Sequence, residues 1–266
     1  AIVEAARTLQ FRTVSISLIY GLPQQTTQSF AQAVKDVLQL TPDRISLQGY
    51  QHQPDKHPIQ QRINAADLPS KIELAAMLQG TQQQLEQAGY RYIGMGYFAL
   101  ADDDFACAQE DGTLQQGVQG YSISANADTI GFGVSALSQL GNLYYHNSHD
   151  INSYQTACRN QQLPPASGVL CTKKDQIHRA VIHALTCQFE VNFSAIEQRF
   201  AIDFASYFSA QWPKLVQMQS NGLLEINEHS ISITAPGRLY TLAVCQLFDE
   251  YLAQDNQQTP VLTQVM

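Results

Sequence analysis

The first part of the chain alternates between strand-like and helix-like patterns of apolar residues. Thr13–Tyr20 is rich in apolar and β-branched residues and predicts a buried parallel strand, and Thr26 follows it as the N-cap of a helix. Arg44–Leu47 and Tyr90–Met95 predict two more strands, with a long helix between them that ends before Gly89. The order strand, helix, strand, helix, strand predicts parallel βα units.

The second half of the chain has mainly helical periodicity and one hairpin pattern. Gly112–Ser124 predicts a loop or short strand, and Thr234 begins a closing helix that is expected to run to about Leu252. A series of helices followed by a hairpin and a last helix is typical of a winged-helix layout. We therefore predict an α/β protein with its domain division after residue 145: βα units over residues 1–145 and a helical domain with a hairpin over residues 146–266. The predicted helices are Asp175–Phe189, Ser194–Phe200 and Phe204–Met218, and the predicted hairpin is Gly222–Thr234.

Composition and charge exclude several classes of partner. The 266 residues are 44% hydrophobic and 14% charged, which is typical of a globular protein. No apolar run is long enough to span a bilayer, and no signal-peptide pattern is present, so we expect a cytoplasmic protein without a membrane partner. The formal net charge of −8 disfavours nucleic acid as a partner, because binding to a phosphate backbone normally needs a basic face.

The five cysteines are dispersed along the chain. They are Cys107, Cys158, Cys171, Cys187 and Cys245, and no two of them lie within a short metal-binding spacing. An odd number of scattered cysteines predicts reduced thiols rather than a disulfide framework. Iron–sulfur and zinc sites need thiolates in close groups, so no metal site is expected from these residues.

Several short stretches, taken in order, resemble one known family. Ile16–Thr26 resembles the strand and turn D-L-I-Y-G-L-P-x-Q-T of oxygen-independent coproporphyrinogen III dehydrogenases (oxidases), which are radical S-adenosylmethionine (SAM) enzymes. Gln119–Tyr121 and Gly131–Ser138 resemble that family's F-Q-G-Y and G-x-G-V-S-A-I-S segments. Ile93–Ala99 matches I-G-M-D-H-F-A in part, and Thr234–Arg238 fits the closing T-x-x-G-R. The ordered set covers nearly the whole chain and is more specific than any single match.

The resemblance implies a reaction and two cofactors. The family's enzymes are partial (βα) barrels that hold a 4Fe–4S cluster on a C-x3-C-x2-C motif together with two SAM molecules. They convert two propionates of coproporphyrinogen III into vinyl groups by radical chemistry and so produce protoporphyrinogen IX. The resemblance therefore implies a radical SAM oxidoreductase of haem biosynthesis with a porphyrinogen substrate.

The resemblance extends only to the last barrel units and the C-terminal domain. The cysteine motif and the glycine-rich SAM loop of the family have no counterpart in this chain. We therefore expect a fragment or diverged copy that is inactive alone, has the missing N-terminal barrel half as its partner, and is a monomer when complete.

Four residues occupy positions that resemble SAM contacts of the family. Ser17 replaces an Asp, and Gln51 replaces a small Ala, whereas Gln119 is kept and Leu137 is nearly kept. A serine hydroxyl cannot act as the charged acceptor that a carboxylate offers to ribose hydroxyls. The substitutions indicate weakened SAM binding or a related protein with another task, and no catalytic residue is identified.

Three of these residues also have a purely structural interpretation. Ser17 would lie on a buried strand with its hydroxyl bonded to backbone, Leu137 would be a core residue, and Gln119 would lie on a loop surface. His146 and His149 have a spacing that one helical face could use for a metal, but no cysteine lies near them, which disfavours a metal site.

Two other functions remain as alternatives to the enzyme. One is a relative that binds haem or a porphyrin without turnover. The other is a nucleic-acid-binding winged helix in the second half. Six Lys and Arg residues against eight Asp and Glu residues between Cys171 and Gln254 disfavour the latter.

Overall fold

The computed structural model describes residues 2–124 and 127–251, and these residues divide into two compact units. The first unit contains residues 2–111, and the second unit contains residues 112–124 and 127–251. The predicted domain division after residue 145 falls inside a strand of the second unit, Leu143–Asn147.

The first unit consists of a four-stranded sheet with helices. The order of the strands across the sheet is Ser15–Tyr20 (β1), Arg44–Gly49 (β2), Tyr97–Leu100 (β4) and Tyr90–Gly94 (β3). Two short 3-10 helices, Pro58–Arg62 and Ala65–Asp67, follow β2 in the chain. The elements are α1 Ile2–Thr8, β1 Ser15–Tyr20, α2 Thr27–Leu38, β2 Arg44–Gly49, α3 Lys71–Gln87, β3 Tyr90–Gly94, β4 Tyr97–Leu100 and α4 Asp104–Glu110.

Local sequence signals explain where α2 and α3 begin. Thr26 and Ser70 each form a capping box with the residue three positions later, which satisfies free N–H groups at the start of the helix. The apolar faces of these helices and the inner face of the sheet then form one core. Its most buried side chains are Phe30, Val34, Ile45, Met77, Leu85 and Phe98.

The prediction of consecutive parallel strands is correct only for β1 and β2. These two strands pair in parallel, but β3 does not pair with β2, because the antiparallel strand β4 lies between them. Met95 and Gly96 have φ of 50° and 78° and form the turn that folds β4 back along β3. Gly96 O accepts a hydrogen bond of 2.8 Å from Leu47 N. A Cβ on Gly96 would lie 2.4 Å from Leu47 O, so only glycine fits at this close approach.

The prediction that the first strand is buried is wrong for the described residues. Only Tyr20 of β1 is buried, and Ile19 is 45% exposed. The strand lies at the end of the sheet, with β2 as its one neighbour in the described part of the chain. An apolar strand at a sheet edge therefore has an uncovered surface.

The second unit contains eight short strands and six α-helices within its described residues. The strands form a β5–β6 hairpin, a three-stranded sheet β7-β8-β9 and a three-stranded sheet β10-β12-β11. The strands are β5 Gln115–Gly117, β6 Gly120–Ser122, β7 Leu137–Leu140, β8 Leu143–Asn147, β9 Pro165–Leu170, β10 Glu190–Asn192, β11 Leu224–Ile226 and β12 Ser230–Ile233. The helices are α5 Ile151–Arg159, α6 Lys173–Gln188, α7 Phe193–Phe200, α8 Phe204–Tyr207, α9 Trp212–Ser220 and α10 Thr241–Gln246.

Helix α6 supplies much of the core of the second unit. Val181 and Leu185 on α6 are fully buried. Phe204, Phe208 and Phe248 form an aromatic cluster in the same unit, with Phe208 4.8 Å from Phe204 and 5.1 Å from Phe248 between ring centroids.

Several predicted elements of the second half are confirmed, and others are corrected. Helices α6 and α7 and the β11–β12 hairpin are present as expected. The predicted helix Phe204–Met218 is instead two helices, because Pro213 is accommodated in the first turn of α9 and would break a continuous helix. Helix α5 and strand β9 were not predicted.

The closing helix is shorter than expected. A 3-10 helix, Pro236–Tyr240, precedes α10, and the predicted end at Leu252 lies outside the described residues. None of the helices in residues 2–124 and 127–251 is long and apolar enough to cross a membrane.

Candidate functional site

The turn that follows β1 contains a glycine and is held by the side chain of Gln25. Gly21 has φ of 86°, which favours glycine, and a Cβ at this position would lie 2.7 Å from Leu74 Cδ2. Gln25 Oε1 accepts hydrogen bonds from the N–H groups of Gly21 at 2.6 Å and Leu22 at 3.3 Å. Gln25 Nε2 donates to Ile19 O at 3.2 Å. The glutamine side chain therefore connects the end of β1 to the start of α2.

Replacing Gln25 with alanine is expected to reduce the free energy of unfolding of the first unit by about 2 kcal/mol, because the partly buried Gly21 N–H loses its acceptor. Urea unfolding followed by circular dichroism measures this loss. Gln28→Ala is the matched control, since Gln28 is exposed on α2 and should change stability by less than about 0.5 kcal/mol. Equal effects of the two substitutions would contradict the role assigned to Gln25.

Ser17 lies on β1 opposite Ser46 of β2. Ser46 Oγ donates a hydrogen bond of 2.8 Å to Ser17 Oγ, so a side chain supplies the partner, whereas a backbone partner was expected. Ser46 is buried and Ser17 is exposed, which leaves the Ser17 hydroxyl accessible as a neutral polar group.

Gln51 is exposed and follows the carboxyl end of β2. Its Oε1 accepts a weak hydrogen bond from Gln53 Nε2 at 3.4 Å, and its backbone O accepts from Gln60 Nε2 at 3.1 Å. Ser17 lies opposite Ser46, in the middle of β2, whereas Gln51 lies beyond the carboxyl end of that strand. The two residues are therefore at different positions along the strand direction.

The other two candidate residues, Gln119 and Leu137, belong to the second unit. Gln119 is exposed in the tight turn that joins β5 to β6. Leu137 begins β7 and is 41% exposed, so its alternative interpretation as a core residue is wrong. Its side chain lies on the opposite face of β7 from the buried Ser138.

Asn147 fixes the glycine-containing segment that leads to Leu137. Asn147 Nδ2 donates hydrogen bonds to Gly131 O at 3.2 Å and to Gly133 O at 2.8 Å, and Tyr154 Oη accepts from Gly133 N at 3.0 Å. Asn147 is 5% exposed, as expected for a buried amide with its hydrogen bonds satisfied. Sequence reasoning missed Asn147 and Tyr154, because no local pattern links them to residues 131–137.

His146 and His149 lie side by side, with ring centroids 4.6 Å apart. His146 Nδ1 is 2.9 Å from Asn147 O, and its Nε2 is 2.6 Å from Ser167 Oγ. His149 Nδ1 is 2.9 Å from Ser135 Oγ. These contacts assign three of the four ring nitrogens to hydrogen bonds. Residues 2–124 and 127–251 contain no group of three or more His, Cys, Asp or Glu residues suited to a metal ion.

The cysteines do not form a site for an iron–sulfur cluster. Cys107 and Cys158 are exposed, and Cys187 and Cys245 are buried. Burial raises the pKa of both Cys187 and Cys245 to about 12, so these two thiols stay protonated at neutral pH. A cluster needs thiolate ligands that converge, and these residues do not fit that requirement.

Comparison with known proteins identifies relatives over nearly the whole chain. Residues 171–240 match the family model of the HemN C-terminal domain. The chain is 52% identical over 257 residues to the oxygen-independent coproporphyrinogen III oxidase of Pseudomonas aeruginosa, which covers 97% of this chain and 56% of that protein. The protein of the same name from Thermostichus vulcanus is 36% identical over 259 residues, and the chain covers 80% of it.

A solved structure is similar over the same range. It is described as coproporphyrinogen III oxidase (HemN) from Escherichia coli, a radical SAM enzyme, and it is 39% identical to this chain with a TM-score of 0.91. The match covers 94% of this chain and 58% of that structure. The chain thus spans a little more than half the length of the Pseudomonas and Escherichia proteins.

Proposed function

The chain belongs to the family of oxygen-independent coproporphyrinogen III oxidases, as expected from its sequence, and we propose that it forms the C-terminal part of an enzyme that oxidatively decarboxylates coproporphyrinogen III. The observation that carries this proposal is the 52% identity to the Pseudomonas protein over 97% of the chain. The similarity of fold to the Escherichia coli enzyme, with a TM-score of 0.91, supports the same assignment.

The 4Fe–4S cluster of this reaction would be held by another segment of the enzyme. When bound, the cluster supplies the electron that cleaves SAM to a radical. The five cysteines of this chain do not provide the close group of thiolates that a cluster requires. We therefore propose that the chain is inactive alone, and that a cysteine-containing barrel half of the kind present in the longer relatives completes it.

SAM is the cofactor to which this chain would contribute contacts. We propose Ser17 and Gln51 in the first unit, and Gln119 and Leu137 in the second unit, as SAM-binding residues. All four side chains are exposed, so they are accessible to a ligand. Ser17 offers a hydroxyl that can donate or accept a hydrogen bond without charge, and Leu137 offers an apolar surface against which a flat ring can pack.

The remaining features of the proposal concern architecture and surroundings. Residues 1–145 would complete the last βα units of a partial barrel, and residues 146–266 would form the helical domain. The helices α6, α7 and α9 with the sheet β10-β12-β11 support a winged-helix-like arrangement in that domain.

The five free cysteines support a reducing, cytoplasmic location. We propose that the complete enzyme is a monomer. Its partner would be a porphyrinogen substrate, and neither nucleic acid nor a membrane would be a partner.

Joining the chain to the N-terminal part of the Pseudomonas aeruginosa relative tests the proposal. The fusion, reconstituted with iron and sulfide and assayed without oxygen with SAM, a reductant and coproporphyrinogen III, is expected to form protoporphyrinogen IX at least tenfold faster than the N-terminal part alone. Fluorescence of the oxidised product measures the rate. A fusion that forms no product, while the intact Pseudomonas enzyme is active in the same assay, would contradict the proposal. A shift of the Soret band on adding a porphyrin to such an inactive fusion would instead support a binding protein without turnover.

A further inference from the structure

The second unit contains a polar pocket that is separate from the four proposed SAM contacts. The pocket has a volume of about 270 Å³ and lies between the β5–β6 hairpin, the β7–β8 hairpin and the helices α6 and α7. Its volume is slightly below the range typical of small-molecule sites, so it fits one polar group of a ligand and not a whole tetrapyrrole. The residues that line it include Gln115, Asp128, Gln139, Arg179, His183 and Arg199.

Two arginines from different helices line this pocket. Arg179 lies on α6 with its guanidinium 5.1 Å from the ring centroid of Tyr144, and Arg199 lies on α7 with its guanidinium 5.1 Å from that of Phe200. Neither guanidinium forms an ion pair with a carboxylate of residues 2–124 or 127–251. Arginine side chains that line one pocket and form no ion pair are typical of sites for carboxylate or phosphate groups.

The other polar groups leave the pocket with a net positive charge. Asp128 is the acidic residue that lines it, and one of its oxygens accepts the N–H of Gly141 at 2.7 Å. His183 Nε2 accepts the N–H of Gln116 at 3.2 Å, which requires an unprotonated nitrogen. Burial, and then the nearby charges of Arg179 and Arg199, lower the pKa of His183 below its ordinary value, which supports a neutral imidazole. The pocket therefore holds two positive charges and one negative charge, with amide donors around them.

We propose that this pocket binds an oxyanion, a carboxylate or a phosphate group, between the guanidinium groups of Arg179 and Arg199. The guanidinium fork donates two parallel hydrogen bonds to either group, and the side-chain amides of Gln115 and Gln139 complete the coordination. This proposal does not depend on the proposed enzyme activity.

The position of the pocket relates it to the proposed SAM contacts. Gln139 lies two residues after Leu137 on β7, so the two side chains lie on the same face of that strand. If the proposed function is correct, the porphyrinogen carries propionates, which are carboxylates of the kind that this pocket would bind. A propionate of the tetrapyrrole is then one source of the carboxylate, and a free anion such as phosphate is the other.

Titration of the purified protein with four probes tests the proposal and separates these sources. The probes are inorganic phosphate, succinate, coproporphyrin III and its tetramethyl ester, each added at constant ionic strength and followed by calorimetry. We expect saturable binding of at least one anionic probe, weakened at least tenfold in the R179Q/R199Q variant. Arg159→Gln is the control, because Arg159 ends α5 and does not line the pocket. It should leave the affinity unchanged.

The pattern across the probes assigns the source of the oxyanion. Binding of coproporphyrin III but not of its ester assigns the propionates, and binding of phosphate but not of coproporphyrin assigns a free anion; both results support the pocket. If R179Q/R199Q does not fold, R179K/R199K replaces it and should still weaken binding several-fold, because an ammonium group lacks the planar fork. Absence of saturable binding to any anionic probe, or equal affinity in the wild type and the arginine variants, would overturn the proposal. The readout is binding alone, so a failure of turnover in the fusion assay would not affect it.

Discussion

Replacing Gly237 with alanine is expected to reduce the free energy of unfolding of the second unit by about 3 kcal/mol or more, which is the upper range for overpacking a buried site. Gly237 is buried, and a Cβ at this position would lie 1.8 Å from Leu223 O and 2.7 Å from Leu223 C. Both of these are backbone atoms at the start of the β11–β12 hairpin, so no side-chain rotation can relieve the contact.

Hydrogen bonds around Gly237 hold its backbone against that of Leu223, so moving the two apart would cost free energy. Thr234 Oγ1 accepts the N–H of Gly237 at 3.1 Å and donates to Gly222 O at 2.6 Å, while Thr234 N donates to Leu223 O at 3.1 Å. Arg238 lies over the ring of Phe189, 4.7 Å from its centroid. The closing Thr-x-x-Gly-Arg segment thus attaches the hairpin to the last helix, which gives that motif a structural role.

Trp212 makes the measurement specific for the second unit. It is the only tryptophan of the chain and it lies on α9, so urea unfolding followed by its fluorescence reports on this unit. Gly117→Ala is the control, because its Cβ would meet only Gln139 Oε1 at 3.9 Å, an ordinary contact distance. A change of less than about 1 kcal/mol for Gly237→Ala would show that the hairpin yields easily and that the close contact does not govern stability.

Elements with strong local signals were predicted well from the sequence. Helix α2 has a capping box at Thr26 and a regular apolar face, and the β11–β12 hairpin has two apolar runs around a polar turn. In each case the interactions that form the element join residues close together in the chain. Such elements require little knowledge of the rest of the fold.

Elements that depend on distant contacts were not predicted. The position of β4 between β2 and β3 follows from pairing of Tyr97 with Ser46 and of Phe98 with Ile45 and Tyr92, and nothing in β4 alone specifies those partners. Strand β9 forms by pairing with β8, and its sequence contains a proline and a glycine that disfavour a strand. Local propensity was overridden by tertiary pairing in both cases.

The candidate site residues were predicted from the resemblance to the family, but the hydrogen bonds that hold the backbone around them were not predicted. Ser17, Gln51, Gln119 and Leu137 came from positions in family motifs, and all four are exposed in the structure. Gln25 and Asn147 hold the backbone around such positions through hydrogen bonds to main-chain groups. The contacts of Gln25 are local, whereas those of Asn147 reach residues 14 and 16 positions away and depend on the folded path of the chain, so spacing in the sequence does not reveal them.

Anaerobic reconstitution of this chain alone with iron and sulfide is expected to give no stoichiometric 4Fe–4S cluster. A cluster needs three or four thiolates that converge on one site. Cys107 lies in the first unit and the other four cysteines lie in the second. Two of those four, Cys187 and Cys245, have a pKa of about 12 because they are buried. At pH 8 such a thiol is ionised in about one molecule in ten thousand, so forming the ligand is strongly unfavourable.

Absorption near 400 nm and iron content after gel filtration measure the result, with an intact member of the family reconstituted alongside as the positive control. The variant C107S/C158S/C171S removes the three cysteines that are not buried and is the matched control, because adventitious iron sulfide should bind it as weakly as the wild type. About one cluster per chain in the wild type, lost in this variant, would show that these cysteines do converge. The proposal that radical chemistry in this enzyme depends on cysteines outside residues 1–266 would then be wrong.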